Sequence, residues 1–198
     1  MTITAEQVKR LRDRTGAGMM ECKKALSEAQ GDVDQAVDLL RKAGVARAGA
    51  RAQRTASEGL VEAYIHPGNR VGVLIEVNCE TDFVARTPEF AELVRNLAMQ
   101  VAAAGAEYVR REDVPAERAA KEREIYAAQL DGQGKPPAIV QKIVDGKLEK
   151  FFAEVCLLEQ PYIRDDQLVV RDLVLQAAGR TGENVVVRRF ARFRLGQE

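Results

Sequence analysis

The sequence predicts an α+β protein: an N-terminal module of three short helices, then a core in which a three-stranded antiparallel sheet packs with helices. Three observations carry this reading. Apolar residues recur at helical spacing in three short runs within the first 44 residues. Two runs rich in Val, Ile and Tyr, 57–66 and 70–78, flank His66-Pro67-Gly68-Asn69, whose residue types favour a hairpin turn. A third such run, 184–195, alternates β-branched and aromatic residues with arginine and reads as a strand with a basic face.

Each element has a local cause. Thr4 followed by Gln7 is a capping-box start, with Val8 and Leu11 on one face and Ile3 or Thr4 behind them. Thr15-Gly16-Ala17-Gly18 ends that helix, because glycine takes the positive φ a tight connection needs. A second helix over 19–29 places Cys22, Ala25, Leu26 and Ala29 at core spacing, and Gly31 closes it. Asp32, with Gln35 behind it, caps a third helix whose stripe is Val33, Ala36, Val37 and Leu40, and which is expected to stop at Gly44. Residues 1–44 therefore form one small module with little core. Residues 45–56, dominated by Ala, Arg and Gly with Arg47, Arg51 and Arg54, read as a basic, partly helical linker. Residues 57–198 form the α+β core domain.

Within the core, Pro88 opens a helix with Phe90, Leu93, Val94, Leu97 and Val101 as its stripe, and Gly105 ends it. A charged helix is expected over 115–130, broken by the Gly- and Pro-rich stretch 131–137. Two further helices are expected over 138–144 and 147–158, and another over 168–178.

Composition narrows the function. Apolar residues make up 46% and charged residues 30%, a globular balance. Lys plus Arg and Asp plus Glu are both 30, so no basic excess points to bulk nucleic-acid binding. Trp is absent and aromatics are 5%, which argues against base-stacking platforms. The three cysteines, Cys22, Cys79 and Cys156, are far apart and lack metal-site spacing, so they read as buried thiols in a reducing cytosol. Met1-Thr2-Ile3-Thr4 leads straight into a charged amphipathic stretch rather than an apolar signal segment, and no apolar run is long enough to span a bilayer. The expected localisation is cytoplasmic.

Catalytic signals are weak. His66 is the only histidine and has no carboxylate or thiolate partner at zinc-site spacing. Ser27 and Ser57 are the only serines, and neither sits in a nucleophile elbow. Gly132-Gln133-Gly134-Lys135 lacks the spacing and terminal hydroxyl of a phosphate loop, and Thr15-Gly16-Ala17-Gly18 lacks a preceding strand. No metal, cofactor or catalytic residue is expected.

Two segments stand out from this background. In 11–26, Met19 and Met20 directly follow a glycine turn, where both cannot easily fill one tiny core. Either one is core and the other incidental, or both serve as adaptable contact material. In 76–86, Phe83 sits in a polar strand-to-helix loop. It either folds back over the core or stands out as a contact residue. Both segments resemble signatures of the elongation factor Ts family, Leu11-Arg12-Asp13-Arg14-Thr15-Gly16-Ala17-Gly18-Met19-Met20-Glu21-Cys22-Lys23-Lys24-Ala25-Leu26 and Glu76-Val77-Asn78-Cys79-Glu80-Thr81-Asp82-Phe83-Val84-Ala85-Arg86. Segments 122–126, 134–137 and 158–162 extend the likeness over nearly the whole chain, which is similar to the short form with one core unit.

The resemblance implies a UBA-like N-terminal module and a guanine-nucleotide exchange factor, not an enzyme, acting on the GTPase elongation factor Tu during translation elongation. It implies that Phe83, with Asp82 beside it, enters Tu's nucleotide domain, and that Arg12, Met19 and Met20 grip a separate surface of that domain. Neither nucleotide, nucleic acid nor membrane is then bound directly. A homodimer is expected, because a lone three-stranded sheet leaves edges and one face to cover, and the last strand carries apolar residues on both sides. Two rivals remain: RNA binding through Arg47, Arg51, Arg54 and the terminal arginines, and hydrolysis through Cys79 or His66.

Overall fold

The structure, a computed structural model, describes residues 3–197, without the side chains of Val45, Arg47, Ala48 and Ala50. The expectations on Met1, Thr2 and the Arg47 side chain lie outside the described residues. In chain order the elements begin with α1 (Ala5–Thr15), α2 (Met19–Glu28), α3 (Val33–Arg51), β1 (Glu58–Ile65) and β2 (Val71–Cys79). Next come α4 (Asp82–Ala85), α5 (Pro88–Ala104), α6 (Ala116–Ala128) and α7 (Pro137–Val155). The chain finishes with β3 (Pro161–Tyr162), β4 (Asp165–Val169), α8 (Val170–Thr181) and β5 (Val186–Arg194). The α+β class is as the sequence predicts, with one three-stranded antiparallel sheet in the order β1-β2-β5.

The chain divides into two compact units. The first gathers Met1–Leu60, Val77–Leu93 and Asp172–Val186; the second gathers Val61–Glu76, Val94–Arg171 and Val187–Glu198.

In the first unit, the capping box at Thr4 and Gln7 forms, with Gln7 N–H to Thr4 Oγ1 at 3.2 Å and Thr4 N–H to Gln7 Oε1 at 2.9 Å. Gly16 takes φ +68° and its N–H donates to the Arg12 carbonyl, ending α1. Asp32 Oδ1 accepts from the N–H groups of Asp34 and Gln35, each at 2.9 Å, and starts α3. Val8, Leu11, Cys22, Ala25, Leu26, Ala29, Ala36 and Leu40 close the small core of these helices.

The third helix does not stop at Gly44. It runs on to Arg51 as one rod. A Cβ on Gly179 of α8 would lie 3.4 Å from the Gly44 Cα, so the two glycines let α3 and α8 approach closely. Tertiary contact, not a turn, accounts for that glycine. Arg41 pairs with Asp172 at 3.5 Å and Arg51 donates to the Ala178 carbonyl at 3.4 Å along the same crossing. At β1, Gly59 has φ +144°, and a Cβ there would come 2.1 Å from the Val77 carbonyl oxygen, so only glycine fits.

In the second unit, the helices expected at 138–144 and 147–158 are the single α7. Val144, Leu148, Phe151 and Val155 carry one buried stripe past Gly146. Asp145, mid-helix, accepts from Arg123 at 2.7 Å and from Gln141 at 2.9 Å. The helix expected over 168–178 begins at Val170, because 165–169 instead pair with 161–162 as a small antiparallel hairpin. Gln100, fully buried, organises that hairpin. Its Nε2 donates to Gln160 Oε1 and the Pro161 carbonyl, both at 3.1 Å, and its Oε1 accepts from the Ile163 N–H at 2.9 Å.

Arg111 bridges Glu149 and Glu159 and stacks over the Phe152 ring at 4.9 Å. Hydrogen bonding to Arg111 holds the Glu159 carboxyl below its ordinary range. A carboxylate with a depressed folded pKa adds stability above its unfolded pKa and loses it as pH falls through the folded value. Glu159→Gln is therefore expected to cost about 2 kcal/mol at neutral pH. The gap to wild type should close in acid, as denaturant titrations at both pH values will test.

Candidate functional site

Arg12, Met19, Met20, Asp82 and Phe83 all belong to the first unit. Arg12 lies in the last turn of α1, exposed beside the buried Leu11. Met19 and Met20 open α2 and are 51% and 75% exposed. Helical side chains lean toward the N-terminus, so both lie over the glycine turn rather than over the Cys22-Leu26 core. Neither fills the core. The pair and Arg12 flank one turn, and that turn is braced from below, where a Cβ on Gly16 would lie 3.4 Å from Arg180 Cδ of α8.

The second cluster begins where β2 ends. Thr81 caps the single turn of α4, its Oγ1 accepting from the Val84 N–H at 3.4 Å. Ala85 is the one buried residue of that turn. Thr87 restarts the chain as α5, its Oγ1 accepting from the Phe90 N–H at 3.2 Å and donating to the Val84 carbonyl at 2.8 Å. The two phenylalanines have opposite fates. Phe90 is 1% exposed, whereas Phe83 is 81% exposed and stands away from the core. Asp82 pairs with Arg86 one turn on, at 3.0 Å, in an exposed contact worth a fraction of a kcal/mol.

What the sequence missed lies behind this loop. Glu183 Oε2 accepts from the N–H groups of Glu80 at 2.9 Å and Thr81 at 3.0 Å, and Glu183 Oε1 accepts from the Thr81 hydroxyl at 2.6 Å. No local pattern announces a glutamate over a hundred positions away as the support of a loop.

The remaining candidates behave differently. His66 is exposed, with Nδ1 3.1 Å from the Tyr64 hydroxyl. Cys22, Cys79 and Cys156 are buried free thiols. Burial pushes the Cys79 thiol up to about 11, and the Glu183 charge adds to the shift. Burial likewise pushes Cys156 up to about 11. Thiolate is the reactive form, so iodoacetamide should label the native chain far more slowly than the urea-unfolded one. Equal rates would contradict the burial. Among the described residues, no cluster of three or more His, Cys, Asp or Glu could hold a metal ion. Again among those residues, no helix is long and apolar enough to cross a membrane.

Four arginines of the RNA-binding alternative are engaged within the chain. Arg51 bonds the Ala178 carbonyl, Arg54 meets Glu80 at 3.6 Å, Arg189 bonds Glu76 at 2.7 Å, and Arg192 reaches the Ala102 carbonyl at 3.5 Å.

The geometry thus describes an α+β protein whose candidate site is two exposed apolar clusters on braced backbone, not a cleft. The family model for elongation factor TS matches residues 6–197. The chain is 58% identical over 195 residues to elongation factor Ts of Carboxydothermus hydrogenoformans, covering 98% of this chain and 90% of that one. It is 60% identical to the Moorella thermoacetica protein of that name, covering 98% and 96%. It is 56% identical over 198 residues to that of Pseudothermotoga lettingae, covering the whole of both chains. The chain belongs to the elongation factor Ts family, whose members are translation elongation factors.

Proposed function

We propose that this chain is a guanine-nucleotide exchange factor that promotes GDP release from elongation factor Tu, and that it makes and breaks no bond itself. The observation that supports this best is Phe83. A large ring 81% exposed on a one-turn helix gives the fold almost nothing, and only a partner's pocket would repay its desolvation. Phe83 acts as a wedge in Tu's nucleotide domain, with Asp82 as the polar contact beside it. Arg12, Met19 and Met20 hold a separate surface of that domain. Residues 1–44 serve as the Tu-binding module, 45–56 as the connection and 57–198 as the core and dimerisation domain. The setting is the cytoplasm, and no cofactor, nucleic acid or membrane is engaged directly.

The mechanism is linkage. The factor binds a Tu conformation whose phosphate and Mg²⁺ site is distorted, so it weakens the nucleotide, and the nucleotide weakens the factor by the same ratio. The two should therefore co-elute as a nucleotide-free complex in gel filtration, and excess GDP should separate them. Co-elution unaffected by GDP would overturn the linkage.

The protein also acts as a homodimer. In β2, Val73, Ile75, Val77 and Cys79 are buried, whereas Leu74 on the opposite face is exposed. Ile65, Leu74, Phe193 and Leu195, all exposed, line one shallow groove, and Val61 is exposed on the same edge strand. On β5, burial stops between Val187 and Phe193. A second copy about a two-fold axis covers such a face. Sedimentation should give twice 21.8 kDa at micromolar concentration; a mass of 21.8 kDa would rule the dimer out.

A further inference from the structure

We propose that Glu183 is a positioning residue for the Phe83 wedge, an inference that rests on the exchange reading above. Glu183 lies between α8 and β5, and the three hydrogen bonds its carboxylate accepts come from Glu80 and Thr81, the two residues before α4. The support is reciprocal. Glu80 Oε1 accepts from the Asn184 N–H at 2.6 Å and meets Arg54 at 3.6 Å. The buried Asn184 amide donates in turn to the carbonyls of Ala52 at 3.3 Å and Arg54 at 2.8 Å. Glu80, Thr81, Glu183 and Asn184 thus knot three distant stretches of chain.

The wedge needs this knot. A helix of one turn cannot hold itself, because nucleation fixes several residues for one hydrogen bond. Its sole buried side chain is Ala85, and the Phe83 ring is unpacked. What orients the ring before a partner arrives is therefore Thr81, whose hydroxyl caps the turn while donating to Glu183. Charge-assisted bonds to two backbone N–H groups and that hydroxyl fix both the peptide plane and the cap rotamer. Without the carboxylate the turn is ordered only on contact with the partner, and the ordering cost moves into binding.

Glu183 also sets where the wedge stands. It lies two residues beyond α8, whose Asp172, Ala178 and Arg180 touch Arg41, Arg51 and the Gly16 turn. The wedge and the Met19-Met20 cluster are thereby held at a fixed spacing, which lets both engage one partner at once.

A mutant cycle in labelled-GDP release from elongation factor Tu tests this, at concentrations where Phe83→Ala still gives a measurable rate. Glu183→Ala should lower the stimulated rate on the order of tenfold, as expected when a positioned group is displaced. In a Phe83→Ala background the same change should alter the rate by less than about twofold, because the group it positions is gone. Glu183→Gln, which keeps one carbonyl acceptor and the side-chain shape, should recover part of the loss. Circular dichroism checks each fold; if Glu183→Ala does not fold, Glu183→Gln carries the same cycle. A wild-type rate in folded Glu183→Ala, or an equal loss in both backgrounds, overturns the positioning role while the exchange reading stands. If wild-type protein leaves GDP release unchanged, the exchange reading fails first and this inference with it.

Discussion

Phe83→Ala is expected to lower stimulated GDP release from elongation factor Tu by about thirtyfold while leaving the melting curve unchanged. The size follows from hot-spot behaviour: an aromatic anchor seated in a partner's pocket is typically worth roughly 2 kcal/mol or more. The unchanged fold follows from exposure. The ring is 81% exposed, so truncating it removes little buried area and opens no cavity. Phe90, seven residues on and 1% exposed, shows what the same deletion means in a core, where it costs about 3–5 kcal/mol. A rate-pair measurement with a thermal melt checks the prediction. Normal exchange by a folded mutant would remove Phe83 from the mechanism.

Leu26→Ala should have the largest effect on stability. Leu26 is fully buried in a cluster of eight residues, and deleting such a side chain costs about 2–5 kcal/mol. A three-helix core of this size has little stability to lose, so the N-terminal helices should open locally while the rest stays folded. Arg12, Met19 and Met20 would then lose their shared presentation, and Tu binding should weaken although none of them was changed. Amide hydrogen exchange reads the opening and a binding titration reads the affinity. Full affinity alongside an opened module would mean that the first cluster is not a Tu contact.

Local physics made much of this fold legible. The caps at Thr4 and Asp32, the left-handed Gly16 and the stripes of α1, α2 and α5 follow short-range rules, and the structure repeats them. The rules failed where a distant contact took over. Gly44 and Gly146 look like stops in sequence, yet one lies at a close crossing with Gly179 and the other lies exposed in mid-helix, behind a continuous apolar stripe of Val144, Leu148, Phe151 and Val155. The β3–β4 hairpin depends on buried Gln100, and nothing around Pro161 signals it. The candidate site divides the same way. Phe83 is legible as an oddly apolar residue in a polar loop and Asp82 only through the family resemblance, and whether Phe83 turns inward is decided only by packing. Asp82 proved to be paired with Arg86, and Glu183 was invisible because its partners lie 102 and 103 positions away.

The most direct test is the release of labelled GDP from elongation factor Tu with and without this protein. The account predicts release that accelerates with the concentration of the chain, and a reciprocal loss of its grip on Tu as unlabelled GDP is added. A release rate unchanged at micromolar concentrations of folded protein would contradict it.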